Sequence, residues 1–214
     1  MNYLMSFIKV VVILALAFGC NVARAGAYEE MLEAVKKDNA SAVSQLIKRG
    51  MDANSADPQG NSLLILAARQ GSVATIKALL EARAQLDARN AVGETALMMG
   101  AINGHLEVVK QLLARQARVN QEGWTPLIYA AVKGDVNISR LLLEHGASIN
   151  ATAENGFTAL MMAAREGHRD LVSFLLANGA DPNLKTENAL TALAAARAHN
   201  RNDIAELLVK AGAI

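Results

Sequence analysis

The 214 residues carry 21 lysines and arginines against 20 aspartates and glutamates, a formal charge of +1, with 52% hydrophobic and 4% aromatic residues. So balanced a chain, with no basic run, offers no support for nucleic-acid binding by phosphate neutralisation, and none is expected. One cysteine, Cys20, excludes a disulfide framework, and the length is enough for one elongated domain.

At the N-terminus Lys9 precedes the apolar stretch Val10 to Phe18, and Ala23 and Ala25 frame an Ala-Arg-Ala site. Residues 1–25 therefore read as a secretory signal peptide, cleaved near Ala25. The stretch falls short of the about 20 residues that cross a bilayer as helix, so no membrane span is expected in the mature form. Ala-Phe-Gly-Cys loosely resembles a bacterial lipoprotein box, which would put a lipid anchor at Cys20. Phenylalanine fits poorly just before the small residue, so Cys20 is taken as a leader cysteine that is discarded. Cleavage removes Lys9 and Arg24 and no acid, shifting the formal charge from +1 to −1. The mature chain is expected in a bacterial periplasm or secreted, and a thiol-free chain suits that oxidising compartment.

From residue 27 onward the chain repeats itself. Gly-Asn-Ser-Leu-Leu starts at Gly60, Gly-Glu-Thr-Ala-Leu at Gly93, Gly-Trp-Thr-Pro-Leu at Gly123, Gly-Phe-Thr-Ala-Leu at Gly156 and Ala-Leu-Thr-Ala-Leu at Ala189. The separations are 33, 30, 33 and 33 residues. Each fragment leads into an alanine-rich run, a second turn residue (Gly71, Gly104, Gly134, Gly167, Asn200) and a Leu-Leu pair. A period of this length means a stack of small units, none able to bury its apolar face alone.

Within one unit, Gly123 fits a tight turn, Thr125 caps a helix through its hydroxyl, and Pro126 occupies a position where no backbone N–H is needed. Leu127, Ala130 and Ala131 give a short helix a narrow apolar face ending near Gly134. A second helix from about Asp135 carries Ile138, Leu141 and Leu142 at helical spacing and stops at Gly146, a suitable left-handed cap. Ala147 to Asn150 returns as an extended finger.

This unit resembles an ankyrin repeat, in Thr125-Pro126-Leu127, Ala130-Ala131, Gly134 and Leu142-Leu143-Glu144-His145-Gly146-Ala147. The resemblance runs from Ala27 to Ile214, through five copies and a degenerate first copy in which Leu32, Ala34, Val43, Leu46, Ile47, Gly50 and Asn54 stay in phase. The chain resembles small exported bacterial ankyrin-repeat proteins. The implied fold is an all-α ankyrin-repeat solenoid of about six stacked helix-turn-helix units with finger loops, following the signal peptide. The repeat domain spans 27–214, with units at about 27–56, 57–89, 90–119, 120–152, 153–185 and 186–214. Charged terminal units, with Glu29, Glu30, Lys36 and Lys37 in the first and Arg197, Arg201 and Asp203 in the last, suggest capping repeats of a complete domain.

Two departures stand out. The histidine that usually follows Thr-Pro-Leu is replaced by Ile65, Met98, Ile128, Met161 and Ala194, so looser coupling between units is expected. Gln116 and Gly123 are three residues closer than equivalent positions elsewhere, so the finger between the third and fourth units should be blunt.

Chemistry finds little footing. His105 and His168 lie two units apart, too far for shared metal ligation; no nucleophile has a base at a recognisable spacing, and no phosphate-cradling loop is present. No metal, cofactor or enzymatic activity is expected. Met98, Met99, Met161 and Met162 recur in register and read as core fillers. Of the sequons at Asn39, Asn137 and Asn150, Asn150 coincides with the repeat's own structural asparagine.

In ankyrin-like stacks, the resemblance implies, turn residues beside the glycine and those ending the first helix line a concave groove. The partner-binding candidates are Arg69, Glu94, Trp124, Lys133, Phe157, Arg165 and Leu190. Trp124, Phe157 and Leu190 share one position in three successive units, and two readings stay open: a binding hot spot, or sideways packing on neighbouring fingers. The expected function is a non-enzymatic, exported interaction module, a monomer that docks another protein. A secreted effector or toxin-related factor acting outside the producing cell is the alternative.

Overall fold

The computed structural model describes residues 26–214; the expected leader, with Cys20 and its lipid-anchor alternative, lies outside the described residues. Twelve helices follow one another: α1 (26–36), α2 (Ala40–Lys48), α3 (Leu63–Gln70), α4 (Val73–Glu81), α5 (Ala96–Ile102), α6 (Leu106–Ala114), α7 (Pro126–Lys133), α8 (Val136–Glu144), α9 (Ala159–Glu166), α10 (Arg169–Ala177), α11 (Ala192–Ala198) and α12 (Asn202–Lys210). They pair as six hairpins. Among the described residues the only β pairing is an isolated antiparallel bridge, Ala56 to Ser62.

The repeated Thr or Ser starts each first helix as the sequence suggests. Ser62, Thr95, Thr125, Thr158 and Thr191 adopt extended backbone, and each hydroxyl accepts from the N–H three residues on. Such a cap stabilises a helix by about 1 kcal/mol, which matters for helices of seven or eight residues that are too short to persist alone. Pro126 takes the first turn of α7.

Stacking buries what each hairpin leaves exposed. The first helices form one row, α3 on α5 on α7 on α9 on α11, and the second helices form another, from α2 through α4, α6, α8 and α10 to α12. Leu64, Ile65, Leu97, Met98, Leu127, Ile128, Leu160 and Met161 are essentially inaccessible between layers, with Ile76, Val109, Leu142 and Leu175 beneath them. All four repeat methionines are buried, in agreement with a core role. The in-phase residues of the first copy behave alike: Val43 and Leu46 are buried, and Gly50 has φ +97°.

Two ladders of side chains tie each unit to the next. In the fingers, Asn54, Asp87, Asn120, Asn150 and Asn183 each accept, through Oδ1, the backbone N–H of Gln85, Arg118, Ser148, Asp181 and Ile214, at 2.8 to 3.0 Å. Asn150 is thus the structural asparagine its position suggests. Between hairpins, the residue after the second turn residue reaches back to the preceding unit: Ser72 Oγ donates to Val35 O, and Arg201 donates through a terminal guanidinium nitrogen to Glu166 O. His105 Nε2 and Arg69 O are 3.1 Å apart, and His168 Nε2 and Val132 O 3.0 Å. Where the usual Thr-Pro-Leu histidine is missing, Ile65, Met98, Ile128 and Met161 are buried, and imidazoles bridge two of the layer boundaries from another position.

The blunt finger is real. Four fingers close a hairpin turn with paired backbone bonds: Asp57 with Gly60 and Asn61, Asn90 with Gly93 and Glu94, Ala153 with Gly156 and Phe157, Thr186 with Ala189 and Leu190. Around Gly123 no such pair forms, since three residues are missing from that turn.

Candidate protein-binding groove

The finger turns and the exposed edges of the first helices meet along one side of the stack. The residue just before each capping Thr or Ser faces this side in register: Asn61, Glu94, Trp124, Phe157, Leu190. Asn61 is buried and the other four are half-buried. Eight positions on, at the end of each first helix, stand Arg69, Ile102, Val132, Arg165 and Ala198. A residue eight places later lies about two helical turns, roughly 12 Å, along the same side of the unit, within reach of a long arginine side chain.

That register explains two contacts. Arg69 donates to Asn61 Oδ1 at 3.2 Å, and the Arg165 guanidinium lies 5.7 Å from the Phe157 ring centroid. Arg165 is also paired with Glu166 Oε1 at 2.8 Å. Phe157, Arg165 and Glu166 thus form one cluster of aromatic ring, guanidinium and carboxylate.

A second cluster spans three units. Asp57 Oδ2 accepts from Asn61 Nδ2, Asn61 Oδ1 accepts from Asn90 Nδ2, and Asn90 Nδ2 also donates to Glu94 Oε2, each at 2.8 Å. Tyr129 Oη donates to Glu94 Oε1 at 3.1 Å, and the Trp124 ring sits 5.5 Å from the Tyr129 ring at a 54° tilt. Burial first, then the neighbouring Glu94 carboxylate, pushes the Tyr129 phenol up to about 12. The tyrosine is thereby kept neutral as a donor across the ordinary pH range.

The structure brings Arg69, Glu94 and Trp124 into this one network, and sets Phe157 with Arg165 in the next cluster. Lys133 and Leu190 stand apart from both. Lys133 is exposed, its stem lying across Gly104 of the preceding unit, 3.3 Å from where a Cβ would be. Leu190 is half-buried in the last finger, its N–H donating to Thr186 Oγ1. Neither aromatic ring is stacked on an aromatic neighbour from another finger: Trp124 packs on Tyr129 and Phe157 under Arg165, each within its own unit.

Sequence reasoning missed Tyr129 and Asn90. A signal for Tyr129 existed: it replaces Leu66, Met99, Met162 and Ala195 at an otherwise apolar first-helix position. His105 and His168 each engage a backbone carbonyl of the preceding unit, and their rings crowd Gly71 and Gly134, as latches between layers. Among the described residues no cluster of metal-ligating side chains occurs, and no helix is long and apolar enough to cross a membrane.

Comparison with known proteins gives this geometry a context. A family model described as ankyrin repeats (3 copies) matches residues 31–122, 84–153, 116–186 and 152–214. No curated protein sequence matches. Among solved structures, the ankyrin repeat domain of Bcl-3, a member of the IkappaB protein family, is 33% identical with a TM-score of 0.70, covering 82% of this chain and 81% of that one. A chain from the predatory endopeptidase Bd0816 of Bdellovibrio bacteriovorus in complex with immunity protein Bd3460 is 31% identical with a TM-score of 0.76, covering 85% and 97%. The human ASB11 ankyrin repeat domain is 27% identical with a TM-score of 0.79, covering 86% and 84%.

Proposed function

The chain belongs to the ankyrin-repeat family, whose repeats are protein–protein interaction modules, and from that premise we propose that it is a non-enzymatic module that docks another protein in its groove. The observation that carries this reading is where the aromatic side chains fall. Of the five aromatic residues in 26–214, Trp124, Tyr129 and Phe157 are half-buried on the candidate groove side, Tyr129 bonded to Glu94, Phe157 under Arg165 and Trp124 packed on Tyr129. Tryptophan, tyrosine and arginine side chains are the ones that dominate binding energy at protein interfaces. The stack holds them through backbone-anchored ladders, so little ordering entropy is lost on association.

The partner we favour is an exported enzyme met in a bacterial periplasm. Two things support it: the leader-like residues 1–25, and the relationship to a complex of an endopeptidase with an immunity protein. An immunity-type or escort role toward a hydrolase is the corresponding purpose. Action outside the producing cell is the competing reading, and fractionation separates the two by locating the protein in the envelope or the medium.

The test is affinity capture from envelope extract, with mass spectrometry of retained proteins and a Trp124→Ala/Phe157→Ala double variant beside the natural chain. Both rings are half-exposed, so the variant is expected to fold. It should lose at least about 2 kcal/mol of affinity, roughly thirty-fold, for the captured partner. Full retention of affinity by a folded double variant rules out Trp124 and Phe157 as the hot spot of the groove and removes the observation on which this reading stands.

A further inference from the structure

The cluster around Glu94 lacks one member that its counterpart one layer on possesses. At Phe157 the chain assembles an aromatic ring, a guanidinium over it and a carboxylate paired to that guanidinium, all from its own residues. Around Trp124 the ring and the carboxylate are present, joined through Tyr129, but the positions that supply arginine in the second and fifth units hold Ile102 and Val132 in the third and fourth. None of the ion pairs among the described residues includes Glu94. Arg69 reaches this network only through Asn61, to whose Oδ1 it donates, and the Lys133 stem runs across Gly104.

A half-buried carboxylate bonded only by neutral donors, with an indole ring packed on the tyrosine that bonds it, is a receptor for a cation. Carboxylate and ring attract it by different means, charge pairing and the ring quadrupole, and both gain strength when a partner's surface excludes water. The short fourth finger helps. Backbone of the next finger lies against Gly60 and Gly156, but beside Glu94, at Gly93, nothing comes within 4 Å of an added Cβ, so the short finger leaves that side of the carboxylate uncovered.

We propose that the surface between Glu94 and Trp124 receives a basic side chain, arginine or lysine, from the partner protein. The Glu94 carboxylate pairs with its charge, and Trp124 with Tyr129 stacks against it. Tyr129 and Asn90 act as positioning residues, fixing the two carboxylate oxygens. This assignment rests on the groove being the docking face.

Trp124 is the only tryptophan of the chain, so its fluorescence reports the site directly. The purified protein would be titrated with N-acetyl-arginine amide, and with N-acetyl-glutamine amide as the neutral control, at constant ionic strength. A saturable response to the arginine amide and none to the glutamine amide is expected. Glu94→Gln should weaken that response about ten-fold through loss of one charge-assisted contact. Ile102→Arg, which places a guanidinium beside Glu94 as Arg69 stands beside Asn61, should abolish it. Melting curves show which variants fold, and either variant suffices.

Equal responses to the two amides, or an arginine response that survives in a folded Glu94→Gln or Ile102→Arg protein, overturns the assignment. The capture experiment keeps the two proposals apart. If the Trp124→Ala/Phe157→Ala variant loses its partner while the arginine amide has no effect, the groove stands and the cation site falls. If the amide binds as expected but capture is indifferent to the double variant, Trp124 and Phe157 fall as the hot spot of the groove.

Discussion

Replacing Gly134 by alanine tests the latch between the fourth and fifth units. Gly134 has φ +80°, and a Cβ built there runs into the His168 ring. The backbone alone costs about 1–2 kcal/mol for an L-residue in the left-handed region. The ring must then rotate away, breaking the 3.0 Å contact between His168 Nε2 and Val132 O. That adds about 1 kcal/mol. The total is about 2–3 kcal/mol, or roughly 2–4 °C of melting temperature per kcal/mol for a chain of this size.

The control is Gly146→Ala. Gly146 has φ +85°, almost the same backbone strain, with nothing within 4 Å of its added Cβ. It should cost about 1–2 kcal/mol, and the excess at Gly134 isolates the latch. In a double-mutant cycle, His168→Ala should absorb that excess, giving a coupling of about 1 kcal/mol between the two sites. Denaturant melts followed by circular dichroism supply all four corners. Equal costs for Gly134→Ala and Gly146→Ala, with additive behaviour in the cycle, would show that the imidazole merely lies over the glycine without linking the layers.

Tyr129 should titrate late, near pH 12, when followed by phenolate absorbance, and Glu94→Gln should bring it closer to the ordinary value of 10. Since the folded form holds the proton more tightly than the unfolded chain, this stabilisation is undiminished below pH 10 and is lost as pH rises from about 10 to about 12. Tyr129→Phe should flatten that part of the stability profile; an unchanged slope would count against it. In the finger ladder, Asn120 makes two bonds across its junction, accepting from Ser148 N and donating to Gly146 O, each at 2.8 Å, whereas Asn150 makes the single 2.9 Å bond to Asp181 N. Asn120→Ala is thus expected to cost about 2 kcal/mol and Asn150→Ala about 1 kcal/mol, measured as shifts in denaturant midpoint. Equal shifts would mean that these exposed bonds are replaced by water without loss.

The hairpins, their caps and the short finger were legible in the sequence because each depends on residues close along the chain. Thr125 caps a helix three residues away, and a three-residue loss between Gln116 and Gly123 can be counted. The links between layers were not legible in the same way. His168 meets a backbone carbonyl 36 residues back, and a carbonyl carries no residue identity for a pattern to show. Tyr129 meets Glu94 across 35 residues, and only its oddness among leucine, methionine and alanine hinted at it. Of the candidate groove residues, Trp124 and Phe157 stood out by rarity. The register of eight that seats Arg165 on Phe157 depends on how far the guanidinium reaches along its own helix, which becomes visible only in three dimensions.

The third and fourth units meet on different terms from the others. At the residue after the second turn residue, Ser72, His105, His168 and Arg201 reach back to the preceding unit, but Asp135 turns inward and caps its own helix through Ile138 N at 2.9 Å. Lys133 covers Gly104 instead, and the finger has lost its hairpin. The compensation is the pair that crosses on the groove side, Tyr129 to Glu94, together with the double bond set of Asn120. Coupling at this junction has therefore moved from the hairpin turns to the groove face. Its consequence is chemical: the groove row changes there from amide and carboxylate, Asn61 and Glu94, to apolar rings, Trp124 and Phe157. A partner that reads this chain meets both chemistries side by side at one layer boundary, which is why a long basic side chain, apolar along its stem and charged at its tip, matches it better than a purely apolar one.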